Sequence, residues 1–335
     1  MSMRLLAVLL CSAPLGAGAA PVARFVEATV LPGIEKWSVT RDAAPALDVY
    51  VAHGAARKPL VVLVQGSQCY PLFLLKPKRT VSTLFVPPDE LASQAVGFAM
   101  IERRGLRSFG PAPASDEEAR ALGHCTATHG GVDKAERVAD VLATVEALAK
   151  QPWVGPVFLL GHSEGADVVA GVARIAGPQI AAVGLLSGAG ATRFFDDIAI
   201  AHRHGDLTAV KRSLDDLIAL TGPAPPAEYA GAASVRQLSY AVDSTPLDDM
   251  RGTKVPVFVA GGTADEHAPI ESADLFVAEL LRARTRSVHY VVLPKWDHGL
   301  NGPDGTSHAM AVVREFVRWA TGPRNDRSVS IGLAP

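Results

Sequence analysis

The sequence predicts an α/β protein, a mostly parallel central sheet with helices on both faces and a helical cap inserted late in the chain. Three observations carry this expectation. Six short apolar runs recur along the 335 residues, segments with apolar residues at helical spacing lie between them, and the alternation breaks once, between positions 188 and 252.

Taken in order, positions 1–20 read as a leader that does not belong to the fold. Arg4 precedes the apolar run Leu5 to Leu10, and Ala17, Gly18, Ala19 and Ala20 follow, which is the charged, apolar and cleavable order of a secretory signal with its cut after Ala19 or Ala20. The run is far short of the roughly 20 residues needed to cross a bilayer. No membrane span is expected to survive cleavage. Cys11 follows Leu10, where a lipid-bearing leader has a small residue, so it is read as part of the discarded segment.

The remainder divides into one core, 21–187 and 253–322, a cap over 188–252 and a flexible tail over 323–335. Ala46 to Val51 alternates like a half-buried strand and the polar stretch His53 to Lys58 supplies a turn, so a hairpin is expected to open the domain. Pro59 to Val64 is continuously apolar, as in a strand buried on both faces. Val96–Ile101, Val157–Leu160, Ile180–Leu186, Val255–Val259 and Val288–Val292 repeat that character.

Helices fill the gaps. Asp133 and Glu136 have the spacing of a capping box, ahead of Val138, Val141, Leu142, Val145 and Leu148 on one face. A second helix runs from Glu164 to Ala176 and stops at Gly177 and Pro178; a third begins near Pro269, suited to a first helical position. The last aligns Met310, Val313, Phe316, Val317 and Ala320 before Gly322 and Pro323. Within the insertion, amphipathic pieces cover Phe194 to His204 and Leu207 to Leu220; a break at Gly222 to Pro226 precedes another around Val235 to Val242. Inserted on a parallel sheet, such a segment sits near the carboxyl ends of the strands, where ligands bind.

Composition excludes several classes of function. Lys+Arg 32 against Asp+Glu 34 gives a net charge of -2, with no field to draw in a phosphate backbone or an anionic membrane, so no nucleic-acid partner is expected. Aromatics at 6% are too few for a stacking platform. With Cys11 gone, Cys69 and Cys125 remain in an exported chain, either bonded to each other or buried as free thiols. His124, Cys125 and His129 lack a fourth ligand at a familiar spacing, so neither metal nor cofactor is expected.

The chemistry centres on Gly161-His162-Ser163-Glu164-Gly165, directly after an apolar strand and directly before a helix. A serine at such a turn is held in a strained conformation with its Oγ clear of the sheet, and glycines on either side remove clashing side chains. The N–H of Glu164, at the helix start, points toward an oxyanion forming on Ser163. A serine needs a base and a group to orient it. His298, in Trp296-Asp297-His298-Gly299, and Asp265, in Gly261-Gly262-Thr263-Ala264-Asp265, each follow an apolar run, in the order Ser, Asp, His. Glu266 and Asp297 are the competing carboxylates, at different offsets from their strands. His129 either faces the pocket or belongs to a helix-entry loop.

On these residues the sequence resembles the α/β-hydrolase family from about Ala46 to Trp319, through the GHSEG elbow, the VPVFVAGGTADEHAP segment, the WDHG loop and the insertion after the sixth strand. More narrowly it resembles the serine aminopeptidase-like and acyl esterase/lipase branch. The resemblance implies that the residue after Gly66 donates the second oxyanion N–H, which assigns Ser67 beside Glu164, although Gln65 stands where the family often has histidine.

The expectation is therefore an exported serine hydrolase cleaving carboxylic esters through an acyl-enzyme on Ser163, acting on a small ester or a short acyl or peptide substrate. Amide cleavage is the runner-up; Asp196, Asp197 and Glu228 are either anchors for a free amine or a solvated face. A non-catalytic binding protein on the same fold is the competing class.

Overall fold

In a computed structural model the described residues are 20–77, 79–84, 87, 90, 95–125, 132–223, 242, 244–285, 287–323 and 327–333. The leader, His129, Glu228 and most of the span from Gly222 to Val242 beyond Pro223 lie outside them.

The strands are β1 (Val22–Ala28), β2 (Glu35–Thr40), β3 (Leu47–Ala52), β4 (Lys58–Val64), β5 (Phe73–Lys76), β6 (Arg79–Ser82), β7 (Gly97–Ile101), β8 (Phe109–Pro111), β9 (Val154–His162), β10 (Ile180–Leu186), β11 (Val257–Gly262), β12 (Val288–Leu293) and β13 (Arg327–Ile331). The helices are α1 (Asp116–Ala121), α2 (Lys134–Leu148), α3 (Glu164–Ala176), α4 (Arg193–Arg203), α5 (Leu207–Thr221), α6 (Pro246–Met250), α7 (Ile270–Arg282) and α8 (Ala309–Thr321). The main sheet runs β1-β2-β3-β7-β4-β9-β10-β11-β12-β13, and β6-β5-β8 form a small second sheet. From β7 onward the main sheet is parallel, whereas β1, β2 and β3 join antiparallel.

All six apolar runs are central strands of this sheet, and their side chains divide by period two. Val62, Leu159, Val183 and Val259 enter a core under α2, α3 and α7, while Val61, Phe158, Ala182 and Phe258 enter another beneath α8. That two-sided burial is why these strands read as continuously apolar. Asp133 caps α2 as the spacing requires, its side chain accepting from the Glu136 N–H. Pro269 is the N-cap of α7, one position earlier than expected.

The structure differs from the expectation at four places. The chain from β3 does not turn back as a hairpin into β4, because β7 lies between them and pairs with both. Val22–Ala28 and Glu35–Thr40, which carry no strong apolar signal, form an antiparallel ribbon on that edge. The tail is not flexible throughout: Arg327–Ile331 pairs in parallel with β12. Val329 and Ile331 point outward there, 61% and 79% exposed, so backbone pairing rather than apolar burial holds this edge strand. The insertion also ends inside the core. In α6, Leu247 and Met250 are buried, and Asp249 receives ion pairs from Lys134 at 2.7 Å and Arg174 at 2.7 Å.

Candidate active site

Parallel pairing brings the carboxyl ends of β9, β10, β11 and β12 level. His162 stands opposite Leu186, Leu186 opposite Ala260, and Gly262 opposite Leu293. The residues that follow each end therefore meet on one rim: Ser163, Ser187, Asp265 and His298.

Ser163 sits at φ 55 and ψ -129, a left-handed conformation that a side chain rarely adopts. Its N–H donates to the Leu186 carbonyl at 2.9 Å, and its carbonyl accepts from Ala166 at 2.8 Å. A Cβ on Gly161 would stand 2.1 Å from the Gly165 oxygen, and one on Gly165 would stand 2.2 Å from the Val64 oxygen, so both glycines are required for the turn to close. The elbow lies against the loop after β4: a Cβ on Gly66 would be 3.0 Å from Ser163 Cβ.

Asp265 and His298 meet. Nδ1 of His298 lies 2.9 Å from Oδ2 and 3.1 Å from Oδ1 of Asp265, which is fully buried. Burial would raise the Asp265 carboxyl, but the bond from His298 and N–H bonds from His267 and Ala268 outweigh it and hold it below the ordinary carboxylate value. An ionised Asp265 fixes the proton on Nδ1 and leaves Nε2 as the basic nitrogen. The competing carboxylates are engaged elsewhere: Glu266 pairs with His204 at 2.8 Å, and Asp297 accepts from Asn301. No hydrogen bond joins Ser163 to His298 among the described residues, where His298 bonds Asp265 through Nδ1.

His162 supports the loop of His298. Its Nε2 donates to the His298 carbonyl at 2.8 Å, and the two rings are 4.9 Å apart. Burial, then the neighbouring His298, push its basicity down to about 3, so this ring stays neutral and anchors the loop.

Ser67 and Glu164 line an open cleft of about 60 Å³ together with Ser163, His267 and Ala268. The Ser67 N–H has no acceptor among the described residues. Its loop is clamped by two arginines that the sequence does not single out. Arg103 Nη1 donates to the Gly66 carbonyl at 2.6 Å, and Arg137 Nη2 donates to the Gln65 carbonyl at 2.5 Å. Arg137 Nη1 also reaches the Glu164 carboxylate at 2.7 Å, so one guanidinium joins the loop after β4 to the start of α3. Gln65, buried, donates to Glu102 at 3.3 Å, which accepts N–H bonds from Arg103 and Leu72 as well. A buried arginine outside any motif has no periodic signature, and its pairing with Glu164 is legible only in three dimensions.

Cys69 and Cys125 are bonded, with Cα atoms 5.6 Å apart. Among the described residues no cluster of three metal-ligating side chains occurs. Of the amine anchors considered, Asp196 lines the cleft, Asp197 does not, and Glu228 is outside the described residues. The cap helix α4 is tied to this site: Arg203 pairs with Glu271 and donates to the Asp265 carbonyl at 2.9 Å.

No family model matches the sequence, and neither does any curated protein. Solved structures do resemble it. Est1E from Butyrivibrio proteoclasticus superposes with a TM-score of 0.51 at 16% identity, over 89% of this chain and 98% of that one. The acylaminoacyl peptidase of Pyrococcus horikoshii gives 0.56 at 14%, over 89% of this chain but 43% of that one. A puromycin-hydrolyzing peptidase of Mycobacterium tuberculosis gives 0.51 at 17%, over 88% and 38%. This chain thus spans less than half of either peptidase and nearly all of Est1E. The chain has the α/β-hydrolase fold.

Proposed function

We propose that this protein is an exported serine hydrolase that cleaves carboxylic esters through an acyl-enzyme on Ser163. The observation that carries the reading is the Asp265–His298 hydrogen bond, set at the ends of adjacent parallel strands on the rim that holds the strained Ser163. His298 Nε2 takes the Ser163 proton as Oγ attacks the ester carbonyl, and the Ser67 and Glu164 N–H groups receive the oxyanion. Collapse expels the alcohol, which leaves with the proton from His298. Water, deprotonated by the same nitrogen, then attacks the acyl-enzyme and releases the acid.

Amide cleavage follows the same steps, and two of the similar structures are peptidases by name. Export is supported by the Cys69–Cys125 bond and by the order of residues 1–20; among the described residues no helix is long and apolar enough to cross a membrane.

A fluorophosphonate probe tests the reading. It is expected to add one phosphonyl mass, mapped to Ser163 by peptide sequencing, and to abolish hydrolysis of 4-nitrophenyl butanoate. A protein that is neither labelled nor active on a panel of esters and aminoacyl anilides overturns it.

A further inference from the structure

The cleft beside Ser163 is lined by two carboxylates besides Glu164. Asp167, one turn along α3 from the nucleophile, and Asp196, in the first turn of α4, both line it, and the charge of Asp196 raises Asp167. Both are half-buried. Asp167 has no hydrogen-bond partner among the described residues; the cation that faces it, Lys134, directs its ammonium to Asp249 at 2.7 Å and the Ser244 carbonyl at 3.1 Å. Asp196 accepts from Ser272 through one oxygen. Arg193 also lines the cleft; it is exposed, and its charge acts on Asp196.

A second observation is independent of the carboxylates. Ser187, directly after β10, lines the same cleft at 2% exposure and φ 44, and its hydroxyl is buried with no hydrogen-bond partner. An orphaned buried hydroxyl costs free energy that a bound polar group recovers. Desolvation pushes the Asp167 carboxyl up to about 8 and that of Asp196 to about 7. Lys134 lowers Asp167 and Arg193 lowers Asp196 without offsetting burial, and a bound cation adds to that partial counter-charge.

We propose that Asp167, Asp196 and the Ser187 hydroxyl form a subsite for a protonated amine, so that the preferred substrate is an ester carrying an ammonium group a few bonds from the scissile carbonyl. An ammonium offers three donors, matching two carboxylate acceptors and one hydroxyl oxygen. It enters fully charged at neutral pH and restores ionisation to both acids. The inference rests on Ser163 as the nucleophile.

Two isosteric pairs test it at pH 7: methyl 3-aminopropanoate against methyl butanoate, and 2-(dimethylamino)ethyl acetate against 3-methylbutyl acetate. In at least one pair kcat/KM is expected to favour the cation by about tenfold or more, and Asp167→Asn or Asp196→Asn to reduce that ratio by about tenfold. Ratios at or below one in both pairs, or ratios unmoved by the Asn variants, overturn the subsite. If no ester is turned over, the Ser163 reading fails separately, and the subsite is read without catalysis. Ligand-observed NMR on the unmodified protein should then show saturable binding of n-butylammonium but not of 1-butanol, weakened in Asp167→Asn; no binding of the ammonium overturns it.

Discussion

The carboxylate of Asp265 holds Nδ1 of His298 at 2.9 Å while accepting two backbone N–H bonds, from His267 and Ala268, at 2.8 Å each. Three donors on a buried carboxylate fix its orientation, and through it that of the imidazole. Asp265→Asn is therefore expected to lower kcat by about 10⁴, because an amide that donates to Nδ1 selects the wrong tautomer. Glu266→Gln loses only the exposed contact with His204 and should change kcat less than about threefold. Steady-state kinetics of the two variants decide between the carboxylates; equal losses would remove Asp265 from its role.

Ser163→Ala should abolish turnover to below about 1% of the parent while leaving the melting temperature at least as high. The side chain sits at a positive φ and its removal leaves α3 and β9 packed as before. Residual activity above that level would exclude Ser163 as nucleophile.

Arg137 bonds the Gln65 carbonyl and the Glu164 carboxylate at once. Arg137→Lys retains the charge but cannot span both acceptors, so kcat should fall by about tenfold with a smaller change in KM, as for a misplaced oxyanion donor. Glu164→Gln in the same background should add little. Additive losses in the double variant would mean that the guanidinium does not couple the two acceptors.

Reducing the Cys69–Cys125 bond frees the chain two residues after the Ser67 donor. The bond closes a separation of 56 residues, a constraint worth about 4 kcal/mol in the chain-entropy model. Protein from the exported fraction should resist alkylation until reductant is added, then take up two alkyl groups by intact mass and lose turnover. Thiols alkylated without reductant would refute the bridge and leave the Ser163 argument untouched.

Burial raises Glu102 from 4.5 to about 8, against N–H bonds from Arg103 and Leu72. The folded protein keeps a proton that the unfolded chain has released, so this contribution is full below the unfolded value and is lost as pH rises toward 8. Stability should fall across that window, and Glu102→Gln should make the slope shallower by up to about 1.4 kcal/mol per pH unit. Denaturant melts at several pH values measure it; an unchanged slope would mean that Glu102 is ionised throughout.

The sheet and the strained serine turn were legible in the sequence for a physical reason. Central strands buried on both faces write themselves as apolar runs, and an elbow in which a Cβ on either glycine would stand within 2.2 Å of a backbone oxygen can be built from few residue types. The edge elements were not legible. In β13, Ser328 and Ser330 face inward while Val329 and Ile331 face solvent, the reverse of the pattern that marks a strand. Arg103, Arg137 and Ser187 left no signal either, since a charged or small polar residue between apolar neighbours says nothing about its partners until the chain folds.

The pairing of Arg203 with Glu271 and with the Asp265 carbonyl, together with Ser272 against Asp196, fastens α4 to α7 and to the loop that carries Asp265. A rearrangement that lifted α4 would drag that loop with it and spoil the imidazole's alignment. The helix therefore behaves as a wall of the site, not its door. Beyond α4, α5 turns Leu207 and Ile218 to solvent at 68% and 69%, and none of its residues lines the cleft beside Ser163, so changes there leave both the wall and the Asp265–His298 contact in place.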